Sequence, residues 1–261
     1  MQIQTPYSLQ GNPAYQIIKV QKGIVGNLIY DDLGQCILRK LNEEFKGVRN
    51  IEDTTHYKPN QPIAFSNTPR ALYIAELLRT DEEVMAMTQG TLKVLSPEEI
   101  VQYWEAIPNR NTTYADTDSV SLYPKEGPNE DLRRIVLNLL GKKPSQVKTP
   151  FVVSGLGVKK DTSLQNGFTF IETDFLQARE APYLRKDCKV TYDQKEQGLV
   201  IADQGVSVWT PSGQSGLRRV YQNRYEDLGA RDVFLLVSNE AGRVQFLQRP
   251  QGAENLEALI A

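Results

Sequence analysis

The sequence predicts an α+β fold, with a helix-rich N-terminal half followed by an antiparallel β-rich C-terminal half. Before about residue 145, apolar residues recur at helical spacing in several short segments. From Pro150 onward they alternate in short runs, and turn dipeptides such as Asn166-Gly167 separate the runs. A polar stretch after Gly141 marks the boundary between regions 1–145 and 146–261, which could also share one core.

Five helices are expected in the N-terminal region, and most of them carry start or stop signals. Ser96-Pro97-Glu98-Glu99 combines a capping box with a proline at the first helical position. Thr80 and Glu83 give a second capping box, and Asn129 is the expected cap of the helix with the clearest apolar stripe. The helix candidates are residues 33–46, 68–79, 80–89, 96–107 and 129–140.

The C-terminal region reads as a series of short strands, which suggests an antiparallel sheet, sandwich or barrel. A short docking helix is expected at its end, over residues 253–261. The strand candidates are Phe151–Ser154, Phe168–Ile171, Cys188–Tyr192, Leu199–Ile201, Val206–Trp209, Leu217–Tyr221, Val233–Val237 and Val244–Leu247.

Composition points to a cytoplasmic globular protein and excludes several classes of site. The chain has 261 residues, 40% apolar residues and a net charge of -2, so nothing in the charge balance favours nucleic acid or a membrane as a partner. Two separated cysteines make no disulfide framework, and a single histidine excludes a multi-histidine zinc site. The polar N-terminus lacks the apolar segment of a signal peptide.

The most informative segment is Tyr114-Ala-Asp-Thr-Asp-Ser-Val-Ser-Leu-Tyr-Pro124. On an extended strand Asp116 and Asp118 would point to one face and repel each other unless a cation lay between them. This predicts a divalent-metal site, with Mg²⁺ or Mn²⁺ as the ion. The alternative is an Asx-rich loop that bonds its own backbone and leads into the 129–140 helix.

The same segment resembles two carboxylate motifs of family B DNA polymerases. Tyr114 to Ser119 resembles the motif Tyr-x-Asp-Thr-Asp-Ser, which implies that Asp116 is a catalytic metal ligand and Asp118 its companion. Asp118 to Pro124 resembles the second motif, Asp-x-x-Ser-Leu-Tyr-Pro. The two motifs overlap at Asp118, and one residue cannot fill both positions of a two-metal site. The double match therefore indicates coincidence.

A second candidate is a phosphate-binding loop after the strand that ends at Ser154. Gly155 and Gly157 would free backbone amides to face an anion, and Lys159 and Lys160 would supply charge. A dinucleotide fingerprint would need a third glycine and a following helix, and neither is evident. The alternative is a glycine-kinked strand that enters a hairpin.

A third candidate is a cluster of arginines interleaved with tyrosines, a pattern that binds single-stranded nucleic acid or phosphate. Interspersed carboxylates make cross-strand ion pairing the competing explanation, and nucleic acid is not the expected partner. The nucleic-acid-binding candidates are Arg218, Arg219, Arg224 and Arg231.

These observations favour a non-catalytic binding or interaction protein that recognises a protein or small ligand and needs no cofactor. One alternative is a Mg²⁺- or Mn²⁺-dependent enzyme acting on a phosphate ester or nucleotide, with Asp116 and Asp118 on the ion. In that enzyme Lys159 or Lys160 would meet the phosphate. The other alternative is a nucleic-acid-associated protein that uses the Arg218–Arg231 region.

Overall fold

A computed structural model describes residues 18–20, 23–64, 66–225 and 227–249. The expected helix over residues 253–261 lies outside these ranges. The α-helices are α1 (Asp32–Glu44), α2 (Thr68–Thr80), α3 (Glu82–Thr88), α4 (Pro97–Gln102) and α5 (Glu130–Leu139), with 3-10 turns at Trp104–Ala106, Pro144–Gln146 and Pro182–Leu184. The first eight strands are β1 (Ile18–Val20), β2 (Gly23–Asn27), β3 (Leu92–Val94), β4 (Tyr114–Leu122), β5 (Phe151–Ser154), β6 (Gly157–Lys160), β7 (Phe168–Ile171) and β8 (Gln177–Glu180). The others are β9 (Cys188–Asp193), β10 (Gly198–Ala202), β11 (Val206–Trp209), β12 (Leu217–Asn223), β13 (Asp227–Gly229), β14 (Gly242–Arg243) and β15 (Gln245–Gln248).

The chain combines helices with curled, mostly antiparallel sheets, and strands exceed helices at 30% against 26%. The expectation of a helix-rich N-terminal half is wrong, because strands dominate and β1 to β4 lie within that half. Strands β1 to β3 are not among the expected elements, and the segment of Asp116 and Asp118 is the extended strand β4 and not the alternative loop. All nine residues of β4 are buried; β12, β5 and β14 pair with it, and the amides of Asp116 and Asp118 bond Ser66 Oγ and the Leu95 carbonyl.

Most strands belong to one nine-stranded sheet, in which the order is β10-β9-β11-β13-β12-β4-β5-β8 and β14 pairs with β4. A four-stranded sheet has the order β1-β2-β15-β3, and β6 pairs with β7. The parallel pairs are β11 with β13 and β14 with β4. Strands from both sides of residue 145 pair in both larger sheets, so the chemistry of β4 is set by residues distant in sequence.

Two apolar clusters cover the two faces of the main sheet. The period-two alternation of β5 shows the division, because Phe151 and Val153 belong to one cluster and Val152 to the other. The first cluster also contains the apolar sides of α1, α2 and α5, and the second contains α4 together with residues of β9 and β11. The main sheet is thus buried on both faces near β4 and β5.

Local signals place some element boundaries well and others poorly. Phe151–Ser154, Phe168–Ile171 and Val206–Trp209 are strands with the expected bounds. Residues 233–237 form no strand, and Phe234 there is 64% exposed. Helix α3 is capped by the Asp81 side chain instead of by Thr80. Asn129 precedes α5 but its side chain bonds Leu217 and Val233 carbonyls instead of capping the helix.

The capping box of α4 is formed as expected. Ser96 Oγ accepts a hydrogen bond from the Glu99 amide at 3.3 Å, and Glu99 Oε2 accepts one from the Ser96 amide at 3.1 Å. We expect Ser96→Ala to destabilise the protein by about 1 kcal/mol, because one amide of the first turn loses its acceptor. Urea unfolding of the two proteins measures this difference. A loss no larger than that of an exposed serine elsewhere, such as Ser212→Ala, would contradict it.

The longest described helices, α1 and α2, have 13 residues each. None of the helices in the described ranges combines the length and the apolar character that crossing a membrane requires.

Candidate functional site

Asp116 and Asp118 lie on β4, at the centre of the main sheet, and both reach side chains of α2. Asp116 meets Thr68 at the start of that helix, and Asp118 meets Arg79 near its end. The segment is a strand, so the Asx-rich loop is not formed. Alternation along a strand puts residues i and i+2 on one face, which accounts for their common neighbour.

Asp116 is 2% exposed, and its two oxygens accept four hydrogen bonds from side chains. Arg219 binds it through two nitrogens: Nε donates to Oδ1 at 3.0 Å, and Nη2 donates to Oδ2. Thr68 Oγ1 also donates to Oδ1 at 3.0 Å, and Ser66 Oγ donates to Oδ2 at 3.1 Å. Both oxygens act only as acceptors, which is the pattern of an ionised carboxylate.

Burial and pairing act in opposite directions on this ion pair. Desolvation raises the pKa of Asp116, while Arg219 and the two hydroxyls favour its charged form. Desolvation alone would lower the pKa of Arg219, but the neighbouring carboxylate of Asp116 raises it overall. The rings of Tyr114 and Tyr221 also lie against the guanidinium, with centroids 5.3 and 4.4 Å from its carbon. Because all four contacts with Asp116 suit a carboxylate, the pair is best described as ionised.

Asp118 is 3% exposed and has a separate arginine. Arg79 Nη2 lies 3.2 Å from its Oδ2, and Ser119 Oγ donates to its Oδ1 at 2.8 Å. Its backbone amide bonds the Leu95 carbonyl, at the point where the chain leaves β3 of the smaller sheet. Asp118 therefore lies where the two sheets meet.

The arrangement gives each carboxylate a guanidinium in place of a shared ion. Nowhere in the described ranges do three or more His, Cys, Asp or Glu side chains group in a way that could hold a metal. The Mg²⁺ or Mn²⁺ site at Asp116 and Asp118 stays a prediction, and such an ion would have to compete with Arg219 and Arg79. In the geometry shown, the two aspartates tie β4 to α2 and β12.

The residues of the expected phosphate loop lie in the turn between β5 and β6 and in β6 itself. Gly155 has a positive φ of 69°, and a Cβ there would lie 2.0 Å from the Phe175 carbonyl oxygen. The amide of Val158 donates to Glu76 and that of Lys160 donates to Glu44. The close approach of the Phe175 carbonyl accounts for the glycine at position 155, and Glu76 and Glu44 already accept from two amides of β6. The phosphate site at Gly155, Gly157, Lys159 and Lys160 stays a prediction.

The structure separates the four arginines of the third candidate into two pairs. Arg218 and Arg219 are 8% and 2% exposed, and they bond the Arg231 carbonyl and Asp116 respectively. Arg224 and Arg231 are exposed, and each lies over an aromatic ring, that of Tyr225 or Trp209. A nucleic-acid surface could therefore use only Arg224 and Arg231 directly.

A groove of about 610 Å³ lies on another part of the molecule, between α4 with its following 3-10 turn and strands β9 and β11. Trp104 and Tyr192 are its half-buried aromatic residues. Its polar lining comprises Gln102, Glu105, Lys189, Thr191, Gln194 and Ser207. Sequence reasoning missed it because its walls are about 90 residues apart along the chain. One sequence signal for the groove was available: Trp104 lies between the polar residues Gln102 and Glu105, just after a short helix.

No family model matches this chain, and no curated protein or solved structure gives a significant match.

Proposed function

We propose that this protein is a binding module whose ligand is a short polar peptide segment held in the groove between α4 and strands β9 and β11. The observation that supports this proposal is the groove itself. Its volume of about 610 Å³ falls within the range of about 300–1,000 Å³ that ligand sites occupy. The site proposed from the sequence, around Asp116, is buried and internally paired instead.

The lining of the groove suits a peptide better than an anion or an apolar molecule. It carries one acid, Glu105, and one base, Lys189, so it has no net charge that would select a phosphate. The amides of Gln102 and Gln194 can each donate and accept hydrogen bonds, as the N–H and C=O groups of a peptide require. Trp104 offers an aromatic surface for a side chain of the ligand.

The two tryptophans of the chain allow a direct binding measurement. Trp104 lines the groove, whereas Trp209 lies outside it against Arg231. In the Trp209→Phe variant, tryptophan fluorescence therefore comes from the groove alone. We expect pools of short random-sequence peptides to shift Trp104 emission, and single peptides from the active pools to do so saturably. Trp104 emission that no pool changes would contradict the proposal.

A charge-reversal pair supplies the matched control. Lys189→Glu reverses the charge of the one basic residue among the described lining residues, and should weaken peptide binding about tenfold or more. Lys148→Glu makes the same change at an exposed position outside the groove lining, and should leave binding within about twofold of the wild type. Equal effects of both variants would show that overall charge, and not the groove, governs the binding.

The metal-dependent enzyme remains the alternative proposal, because both carboxylates do share one face of β4. It requires Arg219 and Arg79 to withdraw from Asp116 and Asp118 when the ion binds.

The nucleic-acid proposal keeps the exposed Arg224–Tyr225 and Arg231–Trp209 pairs as its support. Steeply salt-dependent binding that is lost on Arg224→Gln and Arg231→Gln would favour it over a peptide ligand.

A further inference from the structure

The two outer strands of the nine-stranded sheet differ sharply in character. β8, at one edge, carries the exposed charged side chains Arg179 and Glu180. β10, at the other edge, has the sequence Gly-Leu-Val-Ile-Ala without a charge, and no described strand pairs with its outer side. Charged side chains protect a sheet edge from pairing with another chain, so β8 is protected and β10 is not.

The exposed apolar surface of β10 is concentrated at Ile201, which is 57% exposed. Ile201 is paired with the buried Val190 of β9, and Leu199 is paired with Tyr192. Leu199 and Ile201 are two residues apart and lie on the same face of the sheet, next to the second apolar cluster. A strand added to this edge would cover Ile201 and extend that cluster.

We propose that β10 pairs antiparallel with β10 of a second copy of this chain, in a register centred on Val200. That register places Ile201 of each copy opposite Leu199 of the other, on the face that already carries the apolar cluster. The same strand serves both partners, so the assembly closes as a two-fold dimer. This proposal does not depend on the groove or its ligand.

The charges on the molecule favour a second β10 over other occupants. Pairing of β10 with β8 of another copy would be a heterologous contact, which builds a ring or an open filament, and it would bury the hydrogen-bonding edge beside Arg179 and Glu180. The exposed charges that flank β10 along the chain are Lys195 and Glu196 before it and Asp203 after it. Antiparallel pairing brings the first end of one copy beside the second end of the other, where Lys195 can pair with Asp203 of the second copy.

The mass in solution tests the dimer. We expect the mass from sedimentation equilibrium to rise toward twice 29.5 kDa over about a hundredfold range of protein concentration, because an interface of one short strand is small and weak. Ile201→Lys should hold the chain as a monomer throughout that range. Gln177→Lys, a matched change on the exposed β8 edge, should leave the association unchanged. A monomer at every concentration, or equal effects of the two lysines, would overturn the proposal.

A cysteine pair tests the register. Directly opposed residues of an antiparallel pair lie about 4.5–5.5 Å apart, within the range of a disulfide. Val200→Cys should therefore give a disulfide-linked dimer on oxidation, whereas Ile201→Cys should not, since its symmetry mate is offset along the strand. The wild-type chain, with its own two cysteines, is the control. Circular dichroism confirms folding of both variants, and cross-linking of Ile201→Cys without Val200→Cys would overturn the proposed pairing.

Discussion

Asp116→Asn is expected to destabilise the protein by about 3–5 kcal/mol, because it leaves the buried guanidinium of Arg219 without its main counterion. The Arg219 side chain is 2% exposed and donates two hydrogen bonds to this carboxylate. The nearest remaining acid is Asp232, which lies 3.5 Å from Arg219 and is itself partly exposed. An asparagine also brings an amide group that donates where Arg219 must donate.

The matched control is Asp118→Asn, two residues along the same strand. Its partner Arg79 has a side chain that is 25% exposed, so water can solvate the guanidinium when the carboxylate is lost. We expect a loss of about 1 kcal/mol there. Urea unfolding monitored by circular dichroism measures both losses. Small and equal losses would show that the Asp116–Arg219 pair does not stabilise the junction between β4, α2 and β12.

A double variant separates the ion pair from the space that it fills. Asp116→Leu combined with Arg219→Met removes both charges together, and buried pairs replaced in this way often cost little stability. We expect it to regain much of the loss seen in Asp116→Asn. If the double variant were as unstable as Asp116→Asn, the loss of stability would come from packing around Ser66 and Thr68, whose hydroxyls bond the same carboxylate.

The same single variants decide whether the aspartates hold a divalent ion. An ion present at 100 times its Kd would raise the unfolding free energy by about 2.7 kcal/mol. A rise with Mg²⁺ or Mn²⁺ in the wild type that Asp116→Asn and Asp118→Asn abolish would support the metal-dependent enzyme. Equal responses of the three proteins would leave Arg219 and Arg79 as the counterions of Asp116 and Asp118.

Local patterns in the sequence were sufficient for features that depend on neighbouring residues. The alternation in Phe151–Ser154 and Val206–Trp209 defines a strand, and the Ser96 capping box involves residues three apart. The i, i+2 spacing likewise puts Asp116 and Asp118 together against α2. Each of these follows from the geometry of one element.

The hydrogen-bonding partners of Asp116 could not be predicted from local sequence patterns. Arg219 lies 103 positions from Asp116, and Ser66 lies 50 positions before it. A repeated carboxylate pattern predicts the need for positive charge but cannot distinguish a metal ion from an arginine that a distant strand supplies. The segment Val233–Val237 shows the opposite error. Its apolar pattern predicts a strand, but these residues form none.

Gly155→Ala is expected to cost about 3 kcal/mol of stability, since the position combines a left-handed backbone with a close backbone contact. Its φ is 69°, which an alanine adopts at a cost of about 1–2 kcal/mol. The added methyl would also lie 2.0 Å from the Phe175 carbonyl oxygen, and the loop before β8 would have to move. Forced overpacking adds about 1–3 kcal/mol.

Gly141→Ala isolates the first of these two effects. Gly141 has a similar φ of 61°, but a Cβ at that position has no heavy atom within 4 Å. We expect a loss of about 1 kcal/mol, from backbone conformation alone. Urea unfolding of both alanine variants compares them, and equal losses would mean that the Phe175 segment moves aside without cost.

Inorganic phosphate tests whether Gly155 also shapes an anion site. If phosphate stabilises the wild type but not Gly155→Ala, this glycine shapes an anion site as well as a packing contact. Equal responses of both proteins to phosphate leave close packing against Phe175 as the reason for glycine.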